Sequence, residues 1–359
     1  MTTAEPTGRY LVTRDELANL LDDQPRYRVD QIWEGLYRHH LDPLDITNLP
    51  KALRSTLHDR LPAALAEVTR SIGDRGDTVK WLWALQGGAT VETVLMHYNT
   101  RSTVCISSQA GCAMACDFCA TGQAGFERHL DTGEIVEQVI RAIREAKPRR
   151  VSNVVFMGMG EPLANYEATW SAVERIQGDL GISARHITVS TVGIIPGIKR
   201  LTEEDLPVNL AVSLHAANDT LRDELVPINR RYPIADLVDA CADYLAVKNR
   251  RLSFEWALID GVNDRDSDAD ELGEICRQLR AHVNLIPLNP TPGYAVRGSH
   301  PDRVRAFRQR LDDAGVNATV RRNRGTEIDA ACGQLRASHG QASGADAASP
   351  VAVEAPRRR

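Results

Sequence analysis

The sequence lacks any apolar run that approaches the roughly eighteen residues needed to cross a bilayer. Its first residues bring neither a basic start nor an apolar stretch, which argues against a secretory signal. It also lacks an excess of positive charge: the net charge is −5, which by itself argues mildly against a nucleic-acid partner. We therefore expect a cytoplasmic protein without membrane contact, and its 359 residues suggest about two domains.

Positive charge is nevertheless concentrated at several places along the chain. The clusters are Lys147 with Arg149 and Arg150, Arg230 with Arg231, Lys248 with Arg250 and Arg251, and Arg321 with Arg322 and Arg324. Any one of them is more often a solvated helix end than a binding surface. Binding to a nucleic acid needs only a local positive face, however, so the overall charge does not exclude it.

The first part of the chain is predicted to be helical, from residue 10 to about residue 75, because apolar residues recur there at helical spacing. Two runs rich in β-forming residues follow at 79–85 and 89–97, and the glycines between them predict a hairpin. We expect residues 1–97 to form a small helical domain that ends in this hairpin.

From residue 98 the pattern changes to strands and helices in alternation. Strands are predicted at 103–107, 153–157, 186–191, 208–214, 252–257 and 283–288. The clearest helices are at 134–145, 166–178, 234–248 and 268–281, and Asp131 and Glu134 are placed to cap the first of them. Parallel neighbours need crossover connections, so the repeats predict an α/β fold with a parallel sheet.

The parallel sheet can close in one of two ways. Rolled up, it gives a partial (βα)6 barrel of the TIM type over residues 98–336; left open, it is a doubly wound sheet. In both cases the active site lies at the C-terminal ends of the strands. Residues 337–359 are rich in Ala, Ser and Gly, and we expect a disordered tail there.

The seven cysteines are an odd number without a secretory signal, which does not fit a disulfide framework. Three of them, Cys112, Cys116 and Cys119, follow the first predicted strand directly. Three thiolates on one loop suit either a four-iron cluster with one open iron or a zinc ion with a fourth ligand such as His129. The spacing alone leaves these two possibilities level.

A C-x₃-C-x₂-C loop after the first strand of a partial barrel resembles the radical S-adenosylmethionine (SAM) superfamily. The resemblance implies a [4Fe-4S] cluster held by Cys112, Cys116 and Cys119. It further implies that the open iron binds the amino and carboxylate groups of SAM. Reduction then splits SAM to give a 5′-deoxyadenosyl radical.

Polar and small residues follow the predicted strands at the positions where a cofactor would bind. They are Gly160, Glu161, Ser190, Ser213, Leu214, His215 and Asn289. Each alone is as well explained by a turn or a cap. Together they resemble the SAM contacts of the RlmN-type RNA adenine methyltransferases, a branch of the same superfamily.

The resemblance to that branch spans about residues 10–336. It includes the motifs Val91-Glu-Thr-Val, Ser107-Ser-Gln-Ala-Gly-Cys, Gly158-Met-Gly-Glu-Pro, Ser213-Leu-His, Ile286-Pro-Leu-Asn-Pro and Gly325-Thr-Glu-Ile-Asp-Ala-Ala-Cys-Gly-Gln-Leu. The last motif is the most specific, because it places Cys332 far from the cluster loop in the sequence.

The resemblance also implies a mechanism with two cysteines. Carbon C2 of adenine is electron-poor and cannot attack the methyl group of SAM, whereas a thiolate can. One SAM methylates Cys332, and a second SAM, cleaved at the cluster, turns the methyl group into a radical that adds to C2. Glu92 accepts the C2 proton, and Cys105 displaces Cys332 with formation of a disulfide that cellular thiols reduce.

The implied partners are 23S rRNA, modified in the peptidyl-transferase region, and tRNA, modified beside the anticodon. The helical N-terminal domain and the basic clusters are candidates for holding the RNA. We also expect an electron donor such as a flavodoxin or ferredoxin system, and a monomer. The base must leave its stack to reach the radical.

Several alternatives stay open on the sequence. The sister group that methylates C8 of the same rRNA adenine shares the cluster and both extra cysteines. A zinc- or cluster-stabilised RNA-binding protein without activity, and a radical SAM enzyme for another substrate, are rivals of other classes. Without the family, Cys105 and Cys332 are ordinary small core residues, as we expect Cys241 and Cys276 to be, and Glu92 is the exposed half of an alternating strand.

Overall fold

The computed structural model describes residues 8–289 and 297–321. Its first part contains three helices, α1 (Arg14–Leu20), α2 (Tyr27–Tyr37) and α3 (Lys51–Arg60). Thr13 begins α1 with a capping box that Glu16 completes. In the described part of the chain no helix combines the length and the apolar character that a bilayer span requires.

The helical segment ends earlier than the sequence pattern predicted. Residues Ala66–Gly73, expected in a helix, form strand β1 and pair antiparallel with β2 (Thr78–Ala84). The β-branched residues Val68, Thr69 and Ile72 favour this, and the pairing supplies hydrogen bonds that a short surface helix would not. The expectation of helix up to about residue 75 was therefore wrong.

The predicted hairpin is confirmed, and it belongs to a larger sheet. Strand β2 pairs antiparallel with β3 (Thr90–His97), and β3 pairs antiparallel with β4 (Ser102–Cys105). Because β4 is also the first strand of the parallel region, β1, β2 and β3 extend the parallel sheet at one edge. Residues on β2 and β3 thus face the same cavity as those on the parallel strands.

The alternating region forms the parallel sheet that the sequence predicts. Its remaining strands are β7 (Val151–Phe156), β8 (Ile187–Thr191), β9 (Asn209–Ser213), β10 (Leu252–Leu258), β11 (His282–Pro287) and β12 (Ala318–Val320). They follow β4 in chain order, and each pairs parallel with the next. The six expected strands are confirmed, and β12 is an additional one.

The crossover helices cover the outside of the curved sheet. They are α5 (Thr132–Ala146), α6 (Tyr166–Gly178), α7 (Ile195–Glu203), α8 (Asp219–Leu225), α9 (Ile234–Lys248), α10 (Asp266–Leu279) and α11 (Pro301–Asp313). Asp131 and Glu134 form the expected capping box at the start of α5. Helix α7 was not predicted, because Pro196 and Gly197 in its first turn interrupt the helical pattern.

A short antiparallel pair stands outside the main sheet and frames the cysteine loop. Strands β5 (Gln109–Gly111) and β6 (Phe126–His129) pair with each other, and α4 (Ala120–Gln123) lies between them. The chain therefore leaves β4, runs through the loop and returns to start α5. This arrangement places the cysteines at the C-terminal end of the parallel strands.

Arg222 ties two of these strand ends together. Its guanidinium is fully buried and donates to the carbonyl oxygens of Leu214 (3.0 Å), Ser213 (3.2 Å) and Val192 (2.6 Å), as well as to Asn229 Oδ1 (2.8 Å). Burial lowers the pKa of Arg222 to about 10, so the group remains charged at neutral pH. One side chain thus fixes the segments that follow β8 and β9.

Arg222→Lys should lower the free energy of unfolding by about 2–4 kcal/mol, because an ammonium cannot reach all four acceptors and leaves buried carbonyls unpaired. Urea denaturation followed by circular dichroism measures the loss. Arg231→Lys, at an exposed position, is the matched control and should change stability by less than about 0.5 kcal/mol. Equal losses in both variants would contradict the role given to Arg222.

Candidate active site

A cavity of about 1280 Å³ fills the inside of the curved sheet. It begins among the loops after the parallel strands and continues between the strands. Its wall contains Cys112, Cys116 and Cys119 together with Cys105 and Glu92. Side chains that are far apart in the sequence therefore share one cavity, at the end of the sheet where the sequence predicts the active site.

The three clustered cysteines lie in a tightly folded loop. Ala115 adopts a left-handed backbone conformation (φ 54°), and a Cβ on Gly122 would stand 2.9 Å from the carbonyl oxygen of Cys116. Burial raises the pKa of Cys112 to about 12, and burial and the neighbouring thiols raise the pKa of Cys116 further. Such thiols stay protonated until a metal centre binds and displaces their protons.

The three thiols of the loop match the ligand set of a four-iron cluster with one open iron. In the described residues no three His, Cys, Asp or Glu side chains converge on one metal position. A four-iron cluster does not need such convergence, because each thiolate binds a different iron. His129, the candidate fourth zinc ligand, accepts a 3.1 Å hydrogen bond at Nδ1 from Gln109 Nε2 and is not among the residues of the cavity wall.

Glycines bring the loop after β7 close to the loop after β4. A Cβ on Gly158 would lie 2.6 Å from the carbonyl of Ile106, and one on Gly160 would lie 2.5 Å from Gln109 Cβ. Gly160 also has φ of +100°, which side chains rarely adopt. The Gly-x-Gly sequence is thus required for the approach of two backbone segments, and Gly160 itself remains on the cavity wall.

Glu161 follows directly and is buried beside the cysteine loop. Its carboxylate accepts hydrogen bonds from the backbone N–H of Leu163 (2.9 Å) and of Val192 (2.8 Å). Burial raises the pKa of Glu161 to about 7, despite these bonds. A buried carboxylate of this kind can hold the ammonium group of a ligand, since a positive partner would restore its charged form.

The other predicted cofactor contacts surround the same end of the cavity. Ser190, Ser213, His215 and Asn289 line it, whereas the side chain of Leu214 lies in the core and its carbonyl accepts from Arg222. His215 Nδ1 accepts a 2.9 Å hydrogen bond from the N–H of Ala257, and burial lowers the pKa of His215 to about 3. The imidazole is therefore neutral, with its proton on Nε2.

Glu92 is buried and forms an ion pair, which differs from the exposed position that strand alternation suggests. Lys80 Nζ lies 3.0 Å from Glu92 Oε2, and the two side chains are 0% and 2% exposed. Both faces of β2 and β3 are covered, so alternation carries no information about exposure there. Sequence reasoning missed Lys80, because only the pairing of β2 with β3 brings it to Glu92.

Cys105 ends β4 in the same wall, half-buried between β3 and β7. Burial raises the pKa of Cys105 to about 11, and the N–H of Met157 donates a hydrogen bond that acts in the opposite direction. Cys241 and Cys276 are fully buried in the core, as expected. Cys332 lies outside the described residues.

Comparison with known proteins identifies the family. A model of the radical SAM superfamily matches residues 106–272. A "Dual-specificity RNA methyltransferase RlmN 1" of Myxococcus xanthus is 48% identical over 337 residues, covering 92% of this chain and 94% of that protein. A "Probable dual-specificity RNA methyltransferase RlmN" of Parafrankia is 52% identical over 333 residues, covering 87% of this chain and 86% of that protein.

A solved structure agrees with these relatives. The crystal structure of a radical SAM methyltransferase from Sphaerobacter thermophilus is 49% identical and superimposes with a TM-score of 0.89. The match covers 92% of this chain and 100% of that one. The chain therefore belongs to the RlmN family of the radical SAM superfamily, whose members use a [4Fe-4S] cluster and SAM.

Proposed function

We propose that this protein methylates carbon C2 of an adenine in 23S rRNA and of the adenine beside the tRNA anticodon. Relatives that are about half identical over nearly the whole chain are named for dual-specificity RNA methylation. The observation that carries the proposal is the single cavity that holds the cysteine loop, Cys105 and the Glu92 carboxylate. A cofactor held at the cysteine loop would thus share one cavity with a thiol and a proton acceptor.

The proposed functional residues form two groups in the cavity: one would hold the cluster and SAM, and the other acts on the RNA. Cys112, Cys116 and Cys119 would hold the cluster, and Glu161 with Ser190, Ser213, His215 and Asn289 would hold SAM. When bound, the cluster and SAM supply the one-electron chemistry that makes a methyl group reactive toward an electron-poor carbon. Glu92 accepts the C2 proton, and Cys105 releases the product from Cys332.

Ser107 links the backbone of Glu92, the proposed proton acceptor, to the loop after β7. Its hydroxyl donates to the carbonyl oxygen of Glu92 (2.6 Å) and accepts from the N–H of Met159 (2.9 Å). Met159 stands between the two glycines of the loop after β7, two residues before Glu161. The backbone at Glu92 is therefore tied to the segment that would bind SAM.

We further propose that the helical part of residues 1–97 is the accessory region that grips folded RNA, and that β2 and β3 from the same range join residues 98–336 in the catalytic barrel. Arg26, Arg38 and Arg60 are exposed on the helical part and could contact phosphates. We also propose that the protein is a monomer and that it works in the cytoplasm, where both RNAs are found. It would receive its electrons from a flavodoxin or ferredoxin.

The rival functions fit less well. Methylation at C8 is not favoured, because the relatives that match most of the chain are named as dual-specificity enzymes. A non-catalytic RNA-binding protein gives no reason for a thiol and a paired carboxylate to face a cavity beside the cysteine loop.

Anaerobic incubation of the cluster-loaded protein with reductant, SAM and unmodified RNA should yield 2-methyladenosine in both 23S rRNA and tRNA. Cys332→Ala should abolish the product, since no thiolate remains to carry the methyl group. Nucleoside mass spectrometry measures both results, and Cys276→Ala, in the core away from the cavity, is the control that keeps activity. Formation of 8-methyladenosine, or full turnover by Cys332→Ala, would contradict the proposal.

Cys105→Ala should leave RNA covalently attached to the protein, because the thiol that displaces Cys332 is missing. A denaturing gel with labelled RNA detects the adduct, and treatment with a nuclease should leave a modified Cys332 peptide. The proposed role of Cys105 is refuted by a variant that releases free methylated RNA without an adduct.

Glu161→Gln should weaken SAM binding to the cluster-loaded protein by about ten- to hundredfold, the effect of losing a charge-assisted hydrogen bond. Equilibrium dialysis with labelled SAM measures the affinity. Glu224→Gln, at an exposed position on α8, should bind as the wild type does. Unchanged affinity in Glu161→Gln would remove Glu161 from the cofactor site.

A further inference from the structure

Arg321 stands at the end of β12 and faces the cavity, although none of the strand-end motifs includes it. Its backbone N–H donates to the carbonyl of Leu285 (2.8 Å), which holds it beside β11. Its Nη2 lies 3.4 Å from Glu255 Oε2 and 3.9 Å from the sulfur of Met157. The guanidinium therefore spans the cavity wall from β10 to the segment after β7.

Met157 connects this guanidinium to Cys105. The side chain of Met157 contacts Arg321, and the backbone N–H of the same residue donates to the sulfur of Cys105. Cys105 is opposite Val155 in the β4–β7 register, two residues before Met157, so the segment that follows β7 passes close to the thiol. Arg321 is thus next to the group that already stabilises the charge on Cys105.

Glu255 fixes the position of Arg321. Its Oε1 accepts hydrogen bonds from Asn284 Nδ2 (2.8 Å) and Ser253 Oγ (3.1 Å). Its Oε2 has no hydrogen bond with the described residues and faces Arg321 as an ion pair only. The carboxylate is therefore held rigidly from one side and orients the guanidinium from the other.

The charges that face Cys105 come from three strands. Lys80 on β2 and Arg321 favour the thiolate, and Glu92 on β3 opposes it. Lys80 Nζ forms an ion pair with Glu92 Oε2 at 3.0 Å, so the opposite effects of these two side chains on the charge of Cys105 largely cancel. Arg321 has five N–H donors, and its pair with Glu255 is longer, which leaves donors to face the cavity.

We propose that Arg321, oriented by Glu255, is a positioning residue that stabilises the thiolate of Cys105 for release of the methylated RNA. The inference rests on the function proposed above for Cys105. In the release step the Cys105 thiolate attacks the sulfur of Cys332, which is joined to the base through a methylene group. A sulfur–sulfur bond forms and the sulfur–carbon bond breaks.

The electron pair of the broken bond passes to the methylene carbon, and one proton completes the methyl group. The two cysteines are oxidised to a disulfide, and the carbon is reduced by the same two electrons. The attacking form is the thiolate, and burial opposes it, since it raises the pKa of Cys105 to about 11. The Arg321 guanidinium, which lies close to Met157, offsets part of that effect.

The first test is the pH dependence of alkylation of Cys105 in the full-length, cluster-loaded protein. Iodoacetamide modification is followed by peptide mass spectrometry between pH 7 and pH 10. Arg321→Met should slow modification of Cys105 at pH 8 by about tenfold, as expected for a pKa one unit higher. Arg321→Lys keeps the charge and should restore most of the rate.

The control is Arg185→Met. Arg185 is an exposed arginine of the same cavity that lies before the N-terminal end of β8, whereas Cys105 lies at the C-terminal end of β4. This variant should leave the pH profile of Cys105 alkylation unchanged. A profile for Arg321→Met that coincides with the wild type overturns the inference. So does an equal shift in Arg321→Met and Arg185→Met, since the effect would then be general to the cavity.

A second readout follows the release step in single-turnover reactions. Arg321→Met should accumulate the covalent protein–RNA adduct and release it more slowly at pH 7.5 than at pH 9, whereas Arg321→Lys should release it as the wild type does. Slow formation of the adduct with normal release would assign Arg321 to RNA binding and overturn the inference. The Cys105→Ala trap tests the proposed function and the alkylation profile tests Arg321, so either can fail alone.

Discussion

The side-chain amide of Gln138 on α5 satisfies both backbone groups of Ser107. Its Oε1 accepts from the N–H of Ser107 (2.8 Å), and its Nε2 donates to the carbonyl (3.0 Å). The same Oε1 accepts from Thr93 on β3 (2.9 Å). Ser107 is where the chain leaves β4, so this contact replaces the ladder hydrogen bonds that end there.

Ser107 in turn contacts two further segments of the site. Its hydroxyl holds the backbone of Glu92 and of Met159, while the following residues lead into the cysteine loop. Each buried group left without a partner costs about 1–3 kcal/mol, so the arrangement tolerates few changes. The start of the cysteine loop, the backbone of Glu92 and the crossover helix α5 are thereby fixed relative to one another through one amide.

Local sequence signals were sufficient to predict the strands and helices of the barrel, but they were insufficient to predict the pairing of β1 and the contacts between side chains inside the barrel. The capping pair at Asp131 and the apolar periodicity of the crossover helices act over a few residues, so they predict α5 and the parallel strands. Strand β1 failed as a prediction because its partner, β2, decides its conformation. Likewise the ion pair of Glu92 with Lys80 depends on the pairing of two strands, which no local pattern encodes.

The grouping of the candidate cofactor-binding residues could be predicted for a different reason. Residues at the C-terminal ends of parallel strands meet at one edge of the sheet, so their order in the sequence already brings Glu161, Ser190, Ser213 and His215 together. Arg321 was not found in this way, because the short strand β12 that it follows was not predicted. Its role becomes visible only when the contacts between strands are known.

Burial raises the pKa values of the cysteines in this cavity, and the protein can offset this effect in two ways. It raises the pKa of Cys112 to about 12 and that of Cys105 to about 11. For the loop cysteines, the proposed metal centre would take the place of the protons and stabilise the thiolates. A thiol with the role proposed for Cys105, which attacks and is regenerated in each turnover, cannot be held in that way. For Cys105 the charge must be stabilised without a bond to the sulfur, and an amide N–H beside a tethered guanidinium meets that requirement.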